Sequence, residues 1–240
     1  MRASETEFRF RALIVMAFVG LGFWAPWIEG LGLGQRTPLL RWLVLELSRS
    51  AAIPAETAKP AVILFAALIA AMGALLRVWG TAWISAGVMR DIEMQARTLA
   101  TGGPYRFVRN PLYLGAWFMV AGMAFLMPVS GAIFALATVI PFQVRLILSE
   151  EDFLKQKLGE PYRAYLRAVP RLLPRLRTGL QPVKQRPDWL HAAIAEIFAV
   201  GVFLILALLS WDLDDALMGW SLLGCLVVSM IARTLIPKEE

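Results

Sequence analysis

Long apolar runs separated by short polar clusters set the pattern of this chain. Six runs reach or approach the ~20 residues a helix needs to cross a bilayer: 12–28, 60–80, 112–127, 129–148, 190–210 and 217–236. Together they predict an all-α, polytopic helical membrane protein with about six transmembrane helices. The first run follows Arg2, Arg9 and Arg11, as a secretory leader would. Its exit, GFWAPWIEG, is bulky and aromatic where a cleavage site needs small residues, so the run reads as a retained helix. The segment 29–59 contains PLLRWLVLELSRS, in which Arg41, Glu46 and Arg49 interrupt an apolar face. It predicts an amphipathic helix over about 38–50 that lies on the outer leaflet or re-enters it. Met127-Pro128 marks the turn of a helical hairpin at 112–148, because proline cannot continue the hydrogen-bonded helix before it, and Pro141 predicts a kink in the second arm.

Polar stretches fill the gaps. ISAGVMRDIEMQARTLA predicts an amphipathic surface helix, and the basic, proline-containing VPRLLPRLRTGLQPVKQRPDW predicts an extended arm along the inner membrane surface. The last two runs carry almost no internal polar residue and read as an appended hairpin. The resulting organisation is 1–80 for the N-terminal helices, 81–188 for a core holding the hairpin and its polar segments, and 189–240 for the C-terminal hairpin.

Composition agrees: 58% of the residues are apolar and the mean hydropathy is +0.62, which excludes an ordinary soluble domain. The basic residues orient the chain. With both termini cytoplasmic, the outer side holds Arg36, Arg41, Arg49 and Lys59, together with the acidic WDLDDA, and the remaining 20 of 24 lysines and arginines lie inside. That bias, with contact to anionic lipid, accounts for the net charge of +6 without nucleic acid. Tryptophans 24, 27, 79, 83, 189, 211 and 220 fall near span ends, where indole prefers the interface. Cys225 and His191 are single, so no disulfide and no Cys/His metal cluster is expected, and each reads as structural.

Chemistry concentrates at the feet of the hairpin, in TGGPYRFVRNPLYLG and SEEDFLKQKLGEPYRAY. From Pro128 it is 18 residues back to Asn110 and 22 forward to Glu150. At 1.5 Å per residue both arms return roughly 27–33 Å, which brings the clusters to one depth. Gly102-Gly103-Pro104 predicts a turn that leaves backbone N–H groups available and lets a ligand approach closely. Arg106 and Arg109 offer forked donors for a carboxylate, Asn110 before Pro111 is a helix N-cap, and the helix start can receive an anion. Glu150 and Glu151 supply negative charge opposite. They point ~100° apart, so one is expected to face the ligand and the other to hold an arginine or the surface. Arg77, about one turn inside the boundary, either snorkels or meets an anionic group within the bundle.

The combination GPYRFVRNPLYLG at 103–115, EE at 150–151, LGEPYRAY at 158–165 and VPRLLP at 169–174 resembles the isoprenylcysteine carboxyl methyltransferase and phospholipid N-methyltransferase family of integral membrane enzymes. The family's RHPxY stands here as Arg109-Asn110-Pro111-Leu112-Tyr113, with asparagine retaining capping and hydrogen-bonding capacity. The resemblance implies S-adenosylmethionine as cofactor, at the cytoplasmic ends of the hairpin helices. It implies contacts from Gly103, Pro104, Tyr105, Arg106, Arg109, Asn110, Pro111, Tyr113 and Leu114 with Glu150 or Glu151, and closure by Tyr162 and Tyr165. A lipid, lipidated or otherwise lipophilic substrate would arrive from the bilayer, and no metal is implied. A carboxylate acceptor would be positioned by Arg77 or Arg145, whereas an amine acceptor would lose its proton to a glutamate such as Glu150. The competing readings are an NADPH-dependent sterol-type membrane reductase and a non-enzymatic transporter or scaffold.

Overall fold

A computed structural model describes residues 2–24, 36–50, 53–84, 102–176 and 186–235. The tail of the first apolar run with Trp27, and the proposed surface helix after Ile84, lie outside the described residues. In chain order the helices are α1 (Glu5–Arg9), α2 (Arg11–Trp24), α3 (Leu39–Ser50), α4 (Ala55–Ile84), α5 (Pro111–Ala124), α6 (Val129–Leu158), α7 (Glu160–Ala168), α8 (Trp189–Ala195), α9 (Ile197–Leu204) and α10 (Asp215–Leu235). No β-strand occurs among the described residues, and the fold is all-α.

Three of these helices are long and apolar enough to cross a membrane: α4, α6 and the Asp215–Ala232 part of α10. A fourth candidate, Trp189–Ala195 with Ile197–Asp212, is bent by 66° at its break. The other two runs form shorter apolar helices. α2 and α5 have 14 residues each, about 21 Å at 1.5 Å per residue against a hydrocarbon thickness of ~30 Å.

A hairpin that turns this early leaves loop carbonyls to satisfy, and α3 satisfies them. The first amides of a helix lack intrahelical acceptors; here Leu39 N–H donates to the Met127 carbonyl at 2.8 Å and Leu40 N–H to that of Phe125 at 2.9 Å. Leu40 and Val44 are buried against the bundle, while Trp42 and Leu45 stay exposed. The amphipathic segment is therefore a lid over the hairpin turn.

Small residues bring the main helices together. Along α4 the inward face is Ala66, Ala70, Gly73 and Ala74, and it meets Gly115, Val120 and Gly122 of α5. A Cβ on Gly73 would stand 2.7 Å from the Met119 backbone nitrogen, and one on Gly122 would stand 2.9 Å from the Ala70 methyl. This is close backbone packing of the kind that drives helix association where lipid competes with no hydrophobic effect. On the other side, α2 meets α6 at Gly22 and Gly131, where a Cβ on Gly131 would overlap the Gly22 carbonyl. Phe18 adds edge-to-face contacts to Phe134 and Phe142 at 6.4 and 5.9 Å.

The C-terminal helices are not merely appended. Glu196, at the break between α8 and α9, is 4% exposed. It holds Arg77 through Nε at 2.6 Å and Nη2 at 3.0 Å, and it accepts from Thr81 Oγ1 at 2.8 Å. The cation that the sequence leaves without a partner has one, supplied by the segment that looked featureless. Asp188 caps α8 by accepting from His191 N–H at 2.9 Å, and its own N–H donates to the Ala82 carbonyl. The Cys225 thiol packs against Gly201. Trp24, Trp189, Trp211 and Trp220 are exposed as interface anchors would be. Trp79 and Trp83 turn inward instead, onto Phe107 and Gly103 respectively.

Two outcomes follow from this packing. Gly131→Ala should lower stability by about 1–3 kcal/mol, because the clash is with rigid backbone; an unchanged thermal melt in detergent would show that α2 does not pack there. Glu196→Gln should cost about 3 kcal/mol by leaving Arg77 buried and unpaired. The Arg77→Leu/Glu196→Leu double variant should regain most of that loss, and a single variant as stable as the parent would remove the tie between α9 and α4.

Candidate active site

The chain enters the site through the turn 102–110. Gly103 sits at φ +43°, and a Cβ there would meet the Trp83 indole. Its missing side chain thus serves a left-handed turn and leaves room for the Trp83 indole. A single 3₁₀ turn, Gly103–Arg106, then buries Pro104 and Tyr105. Asn110 occupies the N-cap position of α5 with Pro111 following, yet its side chain makes no capping bond. Its Nδ2 donates to the Arg171 carbonyl at 3.3 Å. The asparagine ties down the following arm and leaves the first-turn amides of α5 without a side-chain acceptor.

That arm runs along the turn. Arg109 N–H donates to the Pro170 carbonyl and Arg175 N–H to the Phe107 carbonyl, both at 2.9 Å. Gly159, at φ +64°, makes the corner from α6 into α7. From α7, Tyr162 and Tyr165 point inward, and Tyr165 Oη donates to the Tyr105 carbonyl at 2.9 Å. Burial pushes the phenols of Tyr105, Tyr162 and Tyr165 well above their ordinary range, so they are hydrogen-bond donors at any physiological pH.

The two glutamates divide as their angular separation requires. Glu151, 2% exposed, is clamped by Arg171, with Nη2 at 2.7 Å and Nε at 3.1 Å, and by Arg109 Nη1 at 3.2 Å. Glu150 accepts from Tyr113 Oη at 3.1 Å, its one hydrogen-bond partner among the described residues. Glu151 is thus the framework carboxylate and Glu150 the open one.

These residues surround a cavity of about 260 Å³. Of the sequence-predicted set, Tyr105, Arg109, Asn110, Pro111, Tyr113, Glu150, Glu151, Tyr162 and Tyr165 line it. Gly103, Pro104, Arg106 and Leu114 do not, and neither do Arg77 and Arg145. Arg77 is held by Glu196, and Arg145 donates to Glu7 at 2.8 Å and to the Arg2 carbonyl at 3.2 Å. The lining also contains Ile84, Leu112 and Leu154, which no motif signalled. Arg171 was visible only as part of VPRLLP. Among the described residues no group of His, Cys, Asp and Glu side chains suits a metal.

Two of the residues lining the cavity carry a buried, unmatched donor. Tyr105 Oη and Arg109 Nε have no hydrogen-bond partner among the described residues. A buried unpaired polar group costs roughly 1–3 kcal/mol, so donors left open against a cavity point to a ligand acceptor that completes them. With the open Glu150 carboxylate and the free start of α5, the donor set fits a ligand that carries both a carboxylate and a cationic centre.

No curated protein and no solved structure matches the chain at a significant level. Residues 61–161 match the phospholipid methyltransferase family. The match spans most of α4, the 102–110 turn, both hairpin helices and the start of α7, and so holds most of the cavity wall. It contains GPYRFVRNPLYLG and the glutamate pair, and ends before Tyr162, Tyr165 and VPRLLP. Over this segment, somewhat less than half of the chain, the protein is similar to a family of methyltransferase enzymes.

Proposed function

We propose that the protein transfers a methyl group from S-adenosylmethionine to a lipophilic or membrane-embedded acceptor at the cytoplasmic membrane face. The observation that carries this reading is the pair of buried, unmatched donors, Tyr105 Oη and Arg109 Nε, beside the open Glu150 carboxylate in one cavity. When bound, S-adenosylmethionine supplies an electrophilic methyl group on a sulfonium. Tyr105, Arg109 and the first-turn amides of α5 would hold its carboxylate, and Glu150 would attract its cationic part. Glu151 stays neutralised by Arg109 and Arg171 and fixes the distance between α6 and the arm. Tyr162, Tyr165, Ile84, Leu112 and Leu154 keep water out, which strengthens every charge interaction inside.

The acceptor is an amphiphile whose nucleophile is a carboxylate or an amine. A carboxylate needs a free arginine, and both arginines suited by position to that role are engaged with Glu196 and Glu7. An amine must shed a proton, and the Glu150 oxygen not occupied by Tyr113 can accept it. The engagement of the arginines favours the amine.

The same reading places six spans in the bilayer with both termini cytoplasmic. The lysine and arginine bias supports it. So does the N-terminal segment, which docks at the cavity end of α6: Ala3 N–H donates to Ser149 Oγ at 2.8 Å, and Arg2 pairs with Asp152.

Calorimetry of S-adenosylmethionine and S-adenosylhomocysteine on the full chain in lipid nanodiscs checks the proposal. Binding should weaken about tenfold or more in Tyr105→Phe, since a hydrogen bond to a charged group is worth about 1.5–3 kcal/mol. It should be lost in Arg109→Ala. Glu150→Gln should impair binding or turnover while leaving the melting temperature in place, whereas Glu151→Gln should lower the melting temperature by stranding two arginines. Absence of binding by folded parent protein would sink the cofactor assignment.

A further inference from the structure

Leu173 and Leu176 are each 83% exposed, the most open of the large apolar side chains among the described residues. They do not sit on a span, where lipid exposure would be ordinary, but on the arm that runs past the cavity mouth. The arm is two-faced. Val169 is buried in a cluster with Tyr162 and Tyr165, and Arg171 reaches inward to Glu151. Leu173, Arg175 and Leu176 face out.

The arm's position is fixed at both ends of this stretch by the Arg109–Pro170 and Arg175–Phe107 backbone bonds. Those bonds place it beside the start of α5, at the end of the hairpin where the span gives way to polar chain. Its surroundings are basic: Arg163 and Arg167 are exposed on α7 and share the single Glu160, at 3.9 and 2.6 Å, so a positive excess remains. Phe153 is exposed on the last turns of α6, with Lys157 over its ring. Protruding leucines set among arginines at a span end complement a negatively charged lipid surface. An acidic soluble partner would be matched by the charge alone and would leave the leucines unexplained.

We infer that residues 170–176 form a bilayer-docking strap, with Leu173 and Leu176 in the acyl–headgroup boundary of an anionic leaflet and Arg175 on lipid phosphate. Docking holds Arg171 on Glu151 and thereby steadies a residue of the cavity wall. The docking itself stands independently, while its effect on the cavity rests on the cofactor reading above.

A nitroxide attached at Leu173→Cys, and separately at Leu176→Cys, in a Cys225→Ser background tests the docking in nanodiscs of phosphatidylcholine and phosphatidylglycerol. Greater collision with oxygen than with a water-soluble nickel complex is the expected result. Greater collision with nickel would place the strap in water. Protection from both would mean that a second copy or another protein covers it, and either outcome overturns the inference.

The coupling is read separately. Leu173→Ser/Leu176→Ser should weaken S-adenosylhomocysteine binding about tenfold in anionic nanodiscs, as expected when the competent state becomes a minority, with an unchanged melting temperature. Equal affinity in parent and variant would overturn the coupling. Because the nitroxide measurement needs no cofactor, failure of the parent to bind would strike the cofactor reading and leave the docking result intact.

Discussion

One buried carboxylate organises this site. Glu151 lies on α6, yet the two guanidinium groups that neutralise it come from the turn before α5 and from the arm after α7. Three separate stretches of chain are fixed relative to each other by a single charge with its hydrogen bonds filled. Taking a carboxylate out of water is costly unless its partners are geometrically right, and the bidentate approach of Arg171 together with Arg109 provides that. Everything the cavity needs follows from this contact. Tyr162 and Tyr165 are carried inward by the helix that precedes the arm, the Tyr105 carbonyl receives Tyr165, and Asn110 reaches the Arg171 carbonyl.

The clamp works only because the helices beneath it are close. α4 and α5 approach through Gly73, Gly115 and Gly122, and the stem of Arg77 lies where a Gly115 side chain would stand, its Cγ 2.7 Å from that position. Glu196 then locks Arg77 from the opposite side. A frame of small residues and one internal ion pair sets the distance between α4 and the start of α5, and the start of α5 is a wall of the cavity. The residues that bind charge and the residues that lack side chains thus serve one geometry.

Much of this was legible in the chain. The hairpin, its turn at Met127-Pro128 and the common depth of its two polar feet follow from counting residues along two helices. The opposed duties of Glu150 and Glu151 follow from 100° of helical rotation, although which glutamate takes which duty depends on where Arg171 arrives, and no local pattern encodes that. Other features were hidden for physical reasons. Glu196 is one polar residue in an apolar run, and its pairing with Arg77 is a contact across 119 positions. Gly103 in a glycine pair before proline signals a turn equally well whether the space is left for a ligand or, as here, for Trp83. Asn110 has the right type for a cap, but its amide is turned to donate to the tertiary Arg171 carbonyl and accepts from no first-turn N–H. The shortness of α5 was hidden by continuous hydrophobicity through Phe125, Leu126 and Met127, which pack as a turn where α3 supplies donors for the Phe125 and Met127 carbonyls.

The division between the glutamates also constrains how the site can use charge. With Glu151 surrounded by Arg109 and Arg171, that cluster carries a net charge of about +1, while Glu150 carries −1 a single residue away on the same helix. The cavity is therefore dipolar without being strongly charged. A cationic centre gains by approaching the Glu150 side and a carboxylate by approaching the Arg109 side. A ligand holding both at the right separation is oriented before any reaction, which is where a methyl transfer that depends on alignment draws much of its rate. Exchanging the roles, with Glu150 paired and Glu151 open, would reverse that dipole relative to the start of α5 and set a ligand carboxylate against the open glutamate. In the proposed reading, the identity of the paired glutamate, fixed by the reach of Arg171, would thus set the direction in which a bound ligand points.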